Sequence, residues 1–183
     1  MKRWLLMVCV VLAGCVTVWS KVEQSPFVAP DHSYSVALPL GWVRHQLGHP
    51  PTDVFITRDG PGLNRIEIVK RENKDAFPRI KKAANENMLA IELAELTVAE
   101  LKSDKDLANL EVVENAPATV AGAQGFRLLL RTRNNKGVEF DILIYGVDAR
   151  SGFYTLTYAA PRMHYFEKFR GEFEKTAASF KLQ

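Results

Sequence analysis

Two segments of alternating apolar and polar residues flank the sequence Asn134-Asn135-Lys136-Gly137. Such alternation predicts β-strands that bury one face, and a short polar loop ending in glycine is typical of a tight turn between them. A left-handed backbone at Gly137 would form a type I turn with a bulge and pair Asn134 with Val138. The stretch from Phe126 to Ile144 therefore predicts a β-hairpin.

The register of this hairpin is supported by both of its faces. An apolar face and a face of opposite charges require the same alignment, and a shift of one residue would disrupt both. The predicted apolar pairs are Leu130–Ile142 and Leu128–Ile144, and the predicted charge pairs are Arg131–Asp141 and Arg133–Glu139.

Alternating apolar residues predict further strands on both sides of the hairpin. The predicted strands are Tyr34 to Leu38, Trp42–Val43, Val54 to Arg58, Arg65 to Lys70 and Phe153 to Tyr158, with an edge strand at Phe27 and Val28. Short polar turns between the earlier strands favour an antiparallel sheet.

Helical spacing appears in two places. Apolar residues at Ile80, Ala84, Met88 and Ile91 predict a helix from about Phe77, and the capping-box spacing of Thr97 and Glu100 is compatible with a break near Leu96 and a restart into Leu101. Whether this region forms one helix or two stays open. A last helix, from about Met163 to Ser179, would bury a stripe formed by Phe166, Phe169, Phe173 and Ala177.

The N-terminus has the pattern of an export signal. Lys2 and Arg3 precede an apolar run that is shorter than the roughly 20 residues needed to span a bilayer. The run ends in Leu12-Ala13-Gly14-Cys15, which resembles a bacterial lipobox. That resemblance implies a signal peptide at 1–14, a lipidated Cys15, a tether at 15–31 and a domain at 32–183. The alternative is an ordinary signal peptide and a free periplasmic protein.

Several local motifs from residue 31 to the C-terminus resemble the PsbP-like family. They are Tyr34-Ser35-Val36-Ala37-Leu38-Pro39 with Gly41-Trp42, then Ala121-Gly122-Ala123-Gln124-Gly125-Phe126-Arg127, then Tyr154-Thr155-Leu156-Thr157-Tyr158-Ala159-Ala160-Pro161, and finally Phe173 with Ser179-Phe180. The resemblance implies an α+β fold in which helices flank an antiparallel sheet, an α/β/α sandwich. It also implies binding to larger assemblies, which is what members of this family mostly share.

Composition excludes some partners. Removal of residues 1–14, which hold Lys2, Arg3 and no acid, reduces the net charge from +3 to +1, so nothing favours binding to nucleic acid. The two cysteines are Cys9 and Cys15. Because the first leaves with the signal and the second carries lipid, the predicted domain folds without a disulfide.

A basic cluster is the candidate partner surface, for an acidic protein or anionic lipid headgroups. Its members are Lys70, Arg71, Lys74, Arg79, Lys81 and Lys82. An ordinary solvated surface is the competing interpretation. His45 and His49 have a spacing that suits a metal only on a helix, and Gly48, Pro50 and Pro51 oppose a helix, so no metal site or cofactor is predicted.

The sequence contains no catalytic signature, and no catalytic residue is assigned. We therefore expect a lipid-anchored protein on the periplasmic face of the envelope. In enteric-type sorting, the absence of aspartate directly after the lipidated cysteine implies export to the outer membrane, and here Val16 occupies that position. The protein would act as a non-enzymatic binding or accessory subunit of an envelope complex. Two alternatives stay open: a carrier or sensor of a small apolar ligand, and a hydrolase with dispersed catalytic residues.

Overall fold

A computed structural model of the chain describes residues 18–46, 52–85 and 87–183. The strands within these ranges are β1 (Trp19–Lys21), β2 (Phe27–Val28), β3 (Tyr34–Val36), β4 (Val43–His45), β5 (Thr52–Thr57), β6 (Arg65–Arg71), β7 (Ala108–Val120), β8 (Ala123–Arg133), β9 (Glu139–Ala149), β10 (Gly152–Pro161) and β11 (Lys181–Leu182). The helices are α1 (Ala90–Lys102) and α2 (Tyr165–Ala178), and a 3₁₀ turn spans Asn73–Asp75.

The described strands form two antiparallel sheets. The large sheet has the order β1-β4-β5-β6-β10-β9-β8-β7, and the small sheet has the order β11-β3-β2. α1 packs against β7, β8 and β9, while α2 packs against β9 and β10. Alternate residues of the strands contribute to two separate apolar cores, one beneath each helix. The expected α+β fold, with helices on both faces of an antiparallel sheet, is confirmed.

The hairpin formed by β8 and β9 has the predicted register. All four predicted pairs face each other, and the Asn134 amide donates to the Val138 carbonyl at 3.0 Å. Gly137 has a φ of 80°, the left-handed conformation that the turn requires. The two apolar pairs are buried beneath α1. The alternation that predicts the strands therefore also indicates which face of the hairpin the helix covers.

The last helix is also as predicted. α2 buries Phe166, Phe169, Phe173 and Ala177 on one face. The ring of Tyr158 in β10 stacks between Phe166 and Phe173, with centroid distances of 5.3 and 5.6 Å. The aromatic stripe is therefore core packing against the sheet.

The predicted helix from Phe77 is wrong. Phe77 and Lys82 instead close a tight turn with reciprocal backbone hydrogen bonds of 3.0 and 3.1 Å, and Lys81 has a left-handed φ of 54°. The amides of Arg79 and Ile80 donate to the Glu100 carboxylate rather than to backbone carbonyls one helical turn earlier. A distant side chain thus outcompetes the local helical bonds.

The structure answers the open question of one helix or two. α1 is continuous from Ala90 to Lys102, and the Thr97 hydroxyl donates to the Leu93 carbonyl within it. The N-terminal amide at Leu89 is satisfied by the Glu92 carboxylate at 2.7 Å. Capping-box spacing at 97–100 therefore reflects two buried polar residues inside one helix.

The structure places two elements in the segment between residues 18 and 31. β1 pairs with β4 at the edge of the large sheet, and β2 is the predicted edge strand, here at the border of the small sheet. The predicted signal peptide and Cys15 lie outside the described residues.

Candidate functional site

One face of the large sheet is only partly covered by α1. The helix lies over β7, β8 and β9, which leaves the side chains of β6 and β10 on this face partly exposed. A cleft of about 420 Å³ lies between α1 and these two strands. We call it the α1 cleft. Its volume falls within the range of small-molecule sites.

The walls of the α1 cleft are mixed in polarity. Apolar side chains from the sheet, from α1 and from the turn after β6 surround it, together with hydroxyls from the middle of β10. The apolar group is Val69, Phe77, Leu101, Leu107, Ile142, Ile144 and Phe153, and the hydroxyls belong to Thr155 and Thr157. Such a surface can bind a ligand through apolar contacts and a few hydrogen bonds.

Most charged groups of the cleft are paired with one another, and Asp106 is the lining residue outside these pairs. The ion pairs are Arg65–Glu67 at 2.7 Å, Arg71–Glu100 at 3.7 Å and Arg79–Asp104 at 2.9 Å. Because each guanidinium faces a carboxylate, the cleft carries little net charge. This arrangement favours neither a strongly acidic nor a strongly basic ligand.

Glu100 has a structural position in the cleft. Its carboxylate accepts hydrogen bonds from the amides of Arg79 and Ile80 at 3.0 and 3.2 Å, and the residue is 4% exposed. Burial lowers the pKa of Arg71, and the charge of Glu100 opposes that shift. The two amide hydrogen bonds tie the turn at 77–82 to α1, and the Arg71–Glu100 ion pair ties the end of β6 to the same helix. Together these contacts form one wall of the cleft.

The uncovered face continues from the cleft to the β1 edge of the sheet. Strand pairing aligns Thr157 with Glu67, Glu67 with Phe55, and His45 with Trp19. Residues that face each other across antiparallel strands share a face of the sheet. The Trp19 ring packs on His45 at 4.9 Å and on Phe55 at 5.8 Å. We call this row, from Thr157 to Trp19, the open sheet face.

The predicted basic cluster is divided by the structure. Lys70 lies on the α2 side of β6 and pairs with Asp31, whereas Arg71 points into the α1 cleft. Lys74 pairs with Glu72. Arg79 pairs with Asp104, as described above.

Lys81 and Lys82 differ from the other members of the cluster. Both are exposed, and no carboxylate of the described ranges lies within ion-pair distance of either. With respect to the part of the chain that the structure describes, they are the members of the predicted partner surface whose charge no carboxylate neutralises.

The candidate zinc spacing does not lead to a metal site in the described part of the chain. His45 lies in β4 beside Trp19, Asp53 lies in β5, and His49 is outside the described residues. Among residues 18–46, 52–85 and 87–183 there is no group of three or more potential metal ligands. The helices within these ranges are also too short or too polar to cross a membrane.

The predicted basic cluster contains Arg71 and Arg79 of the cleft, but the two threonines of β10 that line it were not singled out from the sequence. Thr155 and Thr157 alternate with buried Tyr154, Leu156 and Tyr158 in a central strand. Paired threonines on one face of a strand that is otherwise apolar indicate a face left partly open. The two threonines are visible in the sequence. The position of α1, which makes a cleft of the partly open face, is not.

Comparisons with known proteins support the fold. No family model and no curated protein matches the chain. The solved structure of cyanobacterial PsbP (CyanoP) from Synechocystis is similar with a TM-score of 0.62 at 15% identity, covering 93% of this chain and 96% of that one. The Ran-binding protein Mog1p of Saccharomyces cerevisiae is similar with a TM-score of 0.59 at 10% identity, covering 89% and 96%. The chain thus has a PsbP/Mog1-like fold, and at these identities the likeness concerns the fold alone.

Proposed function

We propose that this protein is lipid-anchored at Cys15 on the periplasmic face of the outer membrane and serves as a non-enzymatic binding or accessory subunit of an envelope complex. The observation that carries the proposal is the open sheet face with the α1 cleft at its end. A sheet face that a helix covers only in part offers a ready surface for another molecule.

Two further points support a protein partner. One solved structure of the same fold belongs to a Ran-binding protein, so this fold can serve as a protein-binding module. The ion pairs of the cleft leave a mixed surface of aromatic, hydroxyl and paired charged groups, which is typical of protein interfaces. The proposed partner is a periplasmic portion of an envelope protein that covers this face.

Site-specific photocrosslinking in cells tests the proposal. A photoreactive residue at Asp106, an exposed position at the cleft, should capture an envelope protein, whereas one at Lys175, an exposed position on α2, should not. The Cys15→Ala variant should lose the crosslink because the protein leaves the membrane. Equal capture from both positions, or capture from neither, would contradict the proposed surface.

Lys81 and Lys82 provide a second test of the same surface. Reversal of both charges to glutamate should weaken the crosslink at Asp106 if the partner is acidic, with little change in the melting temperature because both side chains are exposed. An unchanged crosslink would restrict the partner surface to the cleft and the open sheet face.

The apolar part of the α1 cleft supports one alternative, a carrier or sensor of a small apolar ligand. Ile144→Trp would fill the cleft from its floor. Native mass spectrometry of protein purified from cells should then show a bound small molecule in the wild type and none in the variant. Protein that is free of ligand in both forms would favour the protein partner.

A further inference from the structure

The large sheet ends in two edge strands, β7 and β1, and the longer of them is poorly suited to pair with a further strand. β7 has 13 residues, but its register shifts between Ala108 and Glu111 and again between Val112 and Glu114, and Pro117 follows. Bulges and prolines are features that keep an edge strand from pairing with another chain. The β7 edge is therefore interrupted along its length.

The direction of Pro117 follows from the turn between β7 and β8. Ala121 and Gly122 both have a positive φ, as in a two-residue hairpin turn, so the backbones of Val120 and Ala123 hydrogen bond to each other. Every second residue before Val120 then also faces β8, which leaves the nitrogen of Pro117 directed to the outer edge. A proline there removes no hydrogen bond of the sheet and offers no donor to a further strand.

The opposite edge, β1, pairs with β4 without a register shift. The Val18 carbonyl accepts from Gln46 at 2.7 Å, and the Val22 amide donates to the carbonyl just before β4, also at 2.7 Å. Because alternate residues of a strand face the same neighbour, the backbone amides and carbonyls of Trp19 and Lys21 are directed outward. Within residues 18–46, 52–85 and 87–183, no strand pairs with that side of β1.

The β1 edge continues the open sheet face. The side chains of Trp19 and Lys21 lie on that face, the first partly exposed and the second exposed. Across a strand pair, an apolar residue would cover the indole and an acidic residue would complement the ammonium group. Four strand spacings, about 19 Å, separate β1 from β10 at the α1 cleft. A protein interface of ordinary size can span that distance.

We propose that the partner contributes an extended segment that adds to β1 as a further strand of the large sheet, with an apolar residue beside Trp19 and an acidic residue beside Lys21. The inference rests on the protein partner of the proposed function and adds the form of the contact. Main-chain hydrogen bonds supply affinity in such strand addition, and the alternate side chains select the segment.

Proline and alanine at position 21 form a matched pair of variants. Lys21→Pro removes the outward amide but no hydrogen bond to β4, so the crosslink from Asp106 should fall about tenfold, the effect of one lost hydrogen bond, at an almost unchanged melting temperature. Lys21→Ala keeps the amide and loses only an exposed charge, so its crosslink should change less than about twofold. Ser20→Pro removes an amide that faces β4 and should lower the melting temperature.

The outcomes separate this inference from the proposed function. Equal crosslinking of Lys21→Pro and Lys21→Ala would overturn strand addition, while the crosslink itself would still support a partner at the open sheet face. Equal losses of melting temperature in Lys21→Pro and Ser20→Pro would also overturn it, because the Lys21 amide would then be bonded within the sheet. A wild type without any crosslink from Asp106 would overturn the proposed function and this inference together.

Discussion

Glu100 lies in the last turn of α1 and is almost completely buried, which is rare for an acidic side chain. Three interactions compensate its burial: the Arg71 guanidinium and the amides of Arg79 and Ile80. The same carboxylate therefore links α1 to β6 and to the turn at 77–82, which lie 20 to 29 residues earlier in the chain. Its role in the cleft is to position the wall formed by the turn at 77–82.

Glu100→Ala should destabilise the protein by about 2 to 3 kcal/mol, because it leaves the amides of Arg79 and Ile80 without their acceptor and removes the carboxylate that faces Arg71. Glu100→Gln keeps an acceptor oxygen and should cost only about 1 kcal/mol. Glu95→Ala, on the exposed side of α1, is the matched control and should have little effect. Urea denaturation measures all three, and equal values for Glu100→Ala and Glu95→Ala would show that the buried contacts contribute nothing.

The ion pair of Asp31 and Lys70 should make stability depend on pH in an acidic window. Hydrogen bonds from Lys70 and Ser33 lower the pKa of Asp31 from 3.8 to about 2. A folded-state pKa below the unfolded value stabilises the fold above about pH 4, and that contribution is lost as the pH falls towards 2.

Asp31→Asn isolates this effect, since the amide oxygen can still accept from Ser33. The melting temperature of the variant should lie slightly below that of the wild type at pH 7, and the two should converge between pH 4 and pH 2. The difference should be small because the Asp31 side chain is 53% exposed. A gap that persists at pH 2 would show that the pair acts through something other than charge.

At the level of elements, the turn of the β8–β9 hairpin depends on the backbone of one residue. Gly137 has a φ of 80°, and a Cβ at this position would meet no atom within 4 Å. The glycine is therefore required by its conformation and not by a lack of space.

Gly137→Ala should cost about 1 to 2 kcal/mol from the left-handed backbone alone. Gly62→Ala is the control, because that glycine is equally unobstructed but has no left-handed φ, and it should change stability by less than about 0.5 kcal/mol. Gly137→Asn should recover part of the loss, since asparagine tolerates this conformation. Equal losses for the two alanine variants in urea denaturation would refute the conformational explanation.

The contrast between this hairpin and the segment at 77–89 explains how far the sequence could predict the fold. The hairpin register depends on residues close in sequence, so the apolar and charged patterns were enough to define it. The segment after Phe77 has helical spacing too, yet its amides bond to Glu100, about 20 residues away. Local periodicity cannot reveal a competitor that only the tertiary structure brings near.

β7 and the α1 cleft were beyond prediction for related reasons. β7 was not predicted because Glu111, Glu114 and Pro117 interrupt its pattern and its pairing with β8 contains two register shifts. The cleft depends on where α1 crosses the sheet, and it joins residues from β6, β10 and α1. Single strands could indicate an open face, but they could not indicate which part of that face the helix covers.

At the scale of the whole molecule, the two faces of the large sheet are covered to different extents. The α2 side holds the larger core, with Trp42 packed edge-on against Phe169 at 5.5 Å and Tyr34 close to Phe180 at 5.1 Å. The α1 side is covered over β7, β8 and β9 and left open towards β1. The larger core thus lies on one face, while part of the other face stays exposed.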